Sequence, residues 1–400
     1  MKNINASKWL NKNILAMGFT SFFSDFSHEM TTAVLPTFLV SLVGNTVAPQ
    51  LLGIISGVSD GASSFVKIFS GWTSDNLKKR KGLVVTGYAA TGIFAGITGF
   101  ATSWIQILLF RTLAWVGRGL REAPRDALVA DSTSPQYYGR AFGFHRAMDT
   151  LGAIIGPLFV FFALSKIGVK NIFLFSLIPG ILAVFTIALF TREKRKEDRG
   201  NNSLGFWKDI SSLPKEFRFF LLVMFLFGIG NFNRTLLILR TQEVLTPVTG
   251  LAIAGGFSVL LYALRNVFQA AADYIVGHAS DLFGRKVLLA LLGFFLFAFM
   301  SLGLAFPLPS LWFFVFLFAI SGISAATYTA LEKAYAADLL PAHLRGTGYG
   351  ALQTVDGVGD FVSSFAVGFL WTTVSPTTGF IYGAILATMA GFLLLCSRNK

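Results

Sequence analysis

Long apolar runs broken by short polar ones dominate this chain. A helix needs about 20 consecutive apolar residues to cross the hydrocarbon core of a bilayer. Runs of that length fall at 13–43, 49–72, 82–103, 105–130, 139–165, 171–190, 217–240, 250–276, 287–306, 310–337, 347–372 and 377–396. The pattern predicts an all-α membrane protein with twelve transmembrane helices, since in lipid a helix satisfies every backbone hydrogen bond within itself. Residues 191–215 form the one long polar stretch. The chain therefore divides into a six-helix bundle over 1–190, a linker over 191–215 and a second six-helix bundle over 216–400.

Composition agrees with this division. Of the 400 residues 54% are hydrophobic and 13% charged, whereas soluble domains run nearer a quarter charged. The net charge of +13 raises nucleic acid as a partner, and the placement of the basic residues excludes it. The N-terminus and even-numbered connections hold Lys2, Lys8, Lys12, Lys78 to Lys81, Arg140, the linker group, Arg285, Lys286, Arg345, Arg398 and Lys400. The odd-numbered connections hold only Lys166 and Lys170. Short loops rich in Lys and Arg stay in the cytoplasm, so both termini are expected there, in a bacterial inner membrane. The single Cys396 rules out an intrachain disulfide. Asp25 interrupts the first apolar run before any small-residue cleavage site, so that run reads as a retained helix.

The two halves are weakly repeated. Gly71, Asp75, Lys79 and Arg80 follow span two, and Gly277, Asp281, Arg285 and Lys286 follow span eight, 206 residues later. At an offset of 207, Asp131 matches Asp338, Asp149 matches Asp356 and Gly152 matches Gly359. Such pairs indicate two parallel six-helix repeats. The Gly71–Arg80 loop resembles the signature loop of the major facilitator superfamily, and the Gly277–Lys286 loop is its second copy. Arg111, Gly117 and Gly119 resemble the superfamily's span-four motif. Gly152 to Pro157 resembles the first part of a motif associated with antiporters, although Phe159 and Val160 stand where its glycine pair would follow. The resemblance implies a monomeric carrier of a small-molecule solute, working by alternating access. Spans one, four, seven and ten would line its cavity, placing Asn231, Asn233 and Arg234 as substrate contacts. Its signature loops would form cytoplasmic gates, with Asp131 and Asp338 available to Lys79, Arg80 and Arg285.

Leaving aside Arg140 and Arg218 at the very start of their spans, ten basic residues fall within the spans: Lys67, Arg111, Arg118, Arg121, Arg125, Arg146, Arg234, Arg240, Arg265 and Lys333. Each costs roughly 2.5–3.5 kcal/mol at mid-bilayer, so they pair with acids or line water. Span one carries Asp25, His28 and Glu29, all within about one helical turn. Burial and mutual repulsion disfavour the doubly ionised acid pair, which is chemistry a proton-coupled carrier uses. A structural ion pair with a span-four arginine is the plainer alternative. A metal site would need further ligands from other helices. Arg111 and Arg118 lie deepest in span four. Arg121, Glu122, Arg125 and Asp126 read as gate or loop anchors, as do Asp149 and Asp356. Asp60 and Lys67, seven residues apart, read as a packing or gating pair.

No Gly-rich phosphate loop of the ATP-binding type occurs, and the four His show no catalytic spacing. The chain reads as a non-enzymatic secondary transporter without cofactor or resident metal. Proton-coupled export of a small organic or amphipathic solute leads. Import or facilitated diffusion of an organic anion or metal chelate is the near rival. A non-transporting receptor and a lipid scramblase are the rivals from other classes.

Overall fold

The computed structural model describes residues 10–76, 80–133, 138–193, 213–340 and 345–397. Among them every regular element is helical. The first half comprises α1 (Lys12–Val43), α2 (Ala48–Asn76), α3 (Lys81–Ile97), α4 (Trp104–Asp131) and α5 (Tyr138–Phe190). Ser103 caps α4 by accepting from Gln106 N, which satisfies a backbone donor that the helix start leaves open. At 53 residues, α5 would be about 80 Å long if straight, far more than one bilayer crossing. Gly168 breaks it with φ 75°, a conformation that glycine adopts without a Cβ penalty. The element thus supplies the fifth and sixth spans.

The second half comprises α6 (Lys215–Gly228), α7 (Arg234–Thr249) and α8 (Leu251–Phe283). The composite α9 is built from Arg285–Leu288, a π-helical Leu289–Phe295 and Leu296–Ala305. It is followed by α10 (Leu311–Leu339), α11 (Arg345–Thr373) and α12 (Pro376–Cys396). The run at 217–240, expected as one span, is two helices separated at residues 229–233. Linker residues 194–212 lie outside the described residues.

Large apolar side chains such as Phe162, Leu189, Phe306 and Trp312 are exposed, as lipid-facing surfaces require. Serine and threonine are tolerated inside because their hydroxyls bond to their own helix. Thr20 donates to Ala16 O at 2.7 Å and Thr241 to Leu237 O at 2.9 Å.

The helices pack as two compact units, residues 1–38 with 62–198 and residues 39–61 with 199–400. In the first, Gly152 and Gly156 of α5 press against α1. A Cβ at Gly152 would lie 2.4 Å from the Phe22 carbonyl oxygen, and one at Gly156 2.9 Å from that of Phe26. Without a hydrophobic drive between helices in lipid, this close backbone approach supplies the packing. In the second, the first half of α2 packs on α11, where a Cβ at Gly53 would fall 2.2 Å from Ser364 O.

Candidate functional site

The first unit concentrates its charge where α1, α4 and the start of α5 meet. His28 and Glu29 are buried and Asp25 half-buried. Arg118 Nη1 lies 3.0 Å from His28 Nε2. A guanidinium only donates, so His28 Nε2 accepts, and the neutral imidazole carries its proton on Nδ1. Trp115 sits between two charged or polar neighbours. The His28 ring packs 4.5 Å from it and the Arg111 guanidinium lies 3.9 Å over its face. Such a cation–π contact favours keeping Arg111 charged while buried.

Arg121 is buried, donates to Ser24 Oγ at 2.6 Å and stacks 3.9 Å over Tyr88. It was expected as a gate or loop anchor. Its place is on the inward face of α4, three residues beyond Arg118, which puts both on one side of the helix. Asp149 accepts from Ser21 and pairs with His145 at 3.4 Å. The charged groups acting on Asp25 are Asp149, Arg118, Arg121 and Glu29. The structure thus brings Asp25, His28, Glu29, Arg111, Arg118 and Asp149 into one network, and adds Arg121, Trp115 and Tyr88.

Lys67 closes that network with a 2.8 Å bridge to Glu122, which Arg118 also binds at 3.1 Å. The expected partner of Lys67, Asp60, lies seven residues earlier, about 10 Å along the helix. Asp60 instead accepts from Asn233 Nδ2 at 2.8 Å in the second unit.

There the break between α6 and α7 shapes a polar region. Asn233 caps α7 by accepting from Thr235 N at 3.0 Å, and Asn231 O accepts from Ser363 Oγ at 3.0 Å. Arg234 opens α7 with its guanidinium 5.6 Å over Tyr262. Buried Arg265 donates to Ser321 at 3.0 Å, Asn266 at 3.2 Å and Gln269 at 2.9 Å. Interrupted membrane helices present both a positive helix start and uncommitted carbonyls, and for that reason mark ligand sites. In sequence the break shows only as the polar Asn231, Asn233 and Arg234.

The signature loops carry matching ion pairs, Arg80 with Asp131 and Arg285 with Asp338 at 2.5 Å. Glu193 also accepts from Arg80 N at 2.6 Å. Gly71 and Asp75 lie in the last turns of α2, and Gly277 and Asp281 in those of α8. Their side chains, and Lys79 altogether, lie outside the described residues.

The sequence profile of the Major Facilitator Superfamily matches residues 17–264 and 244–399. The chain belongs to that superfamily. An uncharacterized MFS-type transporter of Methanocaldococcus jannaschii is 34% identical over 98% of this chain and 97% of its own length. The cis,cis-muconate transport protein of Acinetobacter baylyi is 23% identical over 84% of this chain and 82% of its own. Among solved structures, the crystal structure of nucleoside transporter NupG shares the fold. Its TM-score is 0.79 at 12% identity, covering 96% of this chain and 98% of that one. This is a multi-pass membrane transporter of the superfamily, with twelve helices in the two-domain fold.

Proposed function

We propose that this transporter carries a small organic anion in company with protons. The observation that carries the reading is the density of buried or half-buried arginines on α4: Arg118 and Arg121 act on Asp25 of α1, and Arg111 lies over Trp115, which packs on His28. With the acids ionised, Arg118 and Arg121 lie in the field of Asp25 and stabilise its charge. A solute carboxylate that engages an arginine removes a cation from the field of Asp25 or Glu29, and the acid then favours its protonated form. Proton and anion binding reinforce one another, and each shifts the balance between inward- and outward-open states. That linkage favours movement of the two together. The A. baylyi relative, by name a muconate carrier, supports a carboxylate solute. The Gly152–Pro157 resemblance supports the export reading, in which protons move against the solute.

The test begins with a thermal-shift screen of the purified protein against organic anions, neutral solutes, drugs and metal chelates. Hits are then loaded in proteoliposomes under a pH gradient. Accumulation of an anion on the alkaline side supports joint movement. Accumulation on the acidic side supports export by exchange. Stabilisation by neutral solutes alone sinks the anion assignment.

Both termini and the linker are placed in the cytoplasm on the distribution of basic residues. Protease added to inside-out vesicles should therefore cut within 191–215, whereas sealed right-side-out vesicles should stay intact there. Cleavage in the opposite preparation reverses the topology.

A further inference from the structure

A second polar centre lies in the second unit, between α10 and α11, apart from the residues assigned above to proton and solute. Glu332 on α10 is 4% exposed, and its Oε2 is buried without a hydrogen-bond partner. One turn earlier Tyr328 donates its hydroxyl to Asp356 Oδ1 on α11 at 2.8 Å. The other charged groups acting on Glu332 are Asp360 of α11 and Lys333, whose own side chain is exposed.

Proton counting decides what this arrangement needs. A phenol has one hydrogen to give and otherwise only accepts. With that hydrogen committed to Asp356, Tyr328 has none left to give Glu332. A carboxylate has nothing to donate, whereas a carboxylic acid has one proton. The phenol hydrogen therefore serves Asp356 alone, and Oε2 of Glu332 has no donor to stabilise a charge on it. The bare, dry Oε2 makes Glu332 the acid for which ionisation costs most. Aromatic walls keep the surroundings dry. The Tyr328 ring lies 5.1 Å from Phe227, which stacks 4.3 Å from Phe294.

The internal repeat gives an independent reason. At the offset of 207, Asp356 corresponds to Asp149, Tyr328 to Arg121 and Glu332 to Arg125. In the first unit both arginines act on Asp149. In the second, a phenol and an acid stand where those cations were, so the hydrogen the aspartate side requires comes from a titratable group. We propose that Glu332, Tyr328 and Asp356 form a second proton-binding site, with the exchangeable proton carried on Glu332. Loss of that proton places two ionised acids across the α10–α11 contact and drives them apart. The inference does not depend on Asp25 or on the identity of the solute.

The test is infrared difference spectroscopy on the full chain in lipid vesicles at neutral pH. Wild type minus Glu332→Gln should show the C=O stretch of a protonated carboxyl, absent from the variant. Tyr328→Phe should retain that band, because the proton resides on Glu332 and not on the phenol. Asp25→Asn should leave the band in place, which separates this site from coupling at α1. A wild-type spectrum unchanged by Glu332→Gln overturns the proposal. So does a band that emerges only when sodium is replaced by choline, since a metal cation would then occupy the site. Glu332→Gln is close to isosteric; should it nevertheless fail to fold, Glu332→Asp decides: a shifted band supports the assignment, and an unshifted one overturns it.

Discussion

Replacing Asp25 with Asn should abolish accumulation of the solute against its gradient when a pH gradient is the only driving force, to the level of protein-free vesicles. Counterflow, which needs alternating access but no net proton movement, should persist. The expectation follows from the position of Asp25 among Arg118, Arg121, Asp149 and Glu29. An amide at that position cannot change charge, so it cannot report solute binding to the proton gradient. Glu29→Gln should give a weaker form of the same defect. Glu29 lies 4.0 Å from His28, itself held by Arg118. The informative comparison is counterflow against pH-driven uptake in one preparation, because misfolding lowers both together. If Asp25→Asn and Glu29→Gln each retain full pH-driven accumulation, coupling does not reside on α1, and Asp149 and then Glu332 become the residues to test.

The second large effect is on folding. Gly152→Leu should lower the melting temperature sharply and reduce the yield of folded protein, while Gly143→Ala should leave both unchanged. Both glycines are on α5, and each recurs 207 residues later, as Gly359 for Gly152 and Gly350 for Gly143. A Cβ at Gly152 would stand 2.4 Å from Phe22 O and 2.9 Å from Phe26 N, whereas one at Gly143 meets nothing within 4 Å. Forcing extra carbons into a packed contact typically costs about 1–3 kcal/mol, and here the obstacle is backbone, which yields less readily than a side-chain tip. The displaced helix is α1, so the same variant should also disturb the Asp25–His28–Arg118 cluster and weaken binding of any solute found by the screen. A Gly152→Leu protein that melts as wild type would mean that α1 and α5 are not seated against each other through this glycine.

The membrane-spanning pattern was legible in the sequence because crossing lipid is a local demand. Each span must be apolar over its own length, and each short loop records its side of the membrane in its own lysines and arginines. The repeat was legible for a related reason, since Gly, Asp and basic residues recur at a constant offset. Charge partners were a different matter. Lys67 was set against Asp60 because the two are near in sequence, but its partner is Glu122, on another helix. Arg121 was grouped with the loop residues, yet it lies against Ser24 and Tyr88, on two further helices. The break at residues 229–233 left a polar trace at Asn231, Asn233 and Arg234, but the helix start at Arg234 and the bond from Asn233 to Asp60 are visible only in three dimensions.

By itself, then, the sequence determined that this chain is a twelve-span helical membrane protein in two repeated halves. Hydropathy along one stretch of chain is enough to decide that. Which acid meets which base was decided by the tertiary structure alone. A buried ion's partner depends on which helices approach closely and with what rotation. Those are set by backbone contacts such as Gly152 on Phe22, made between residues more than a hundred positions apart, where no local pattern reaches.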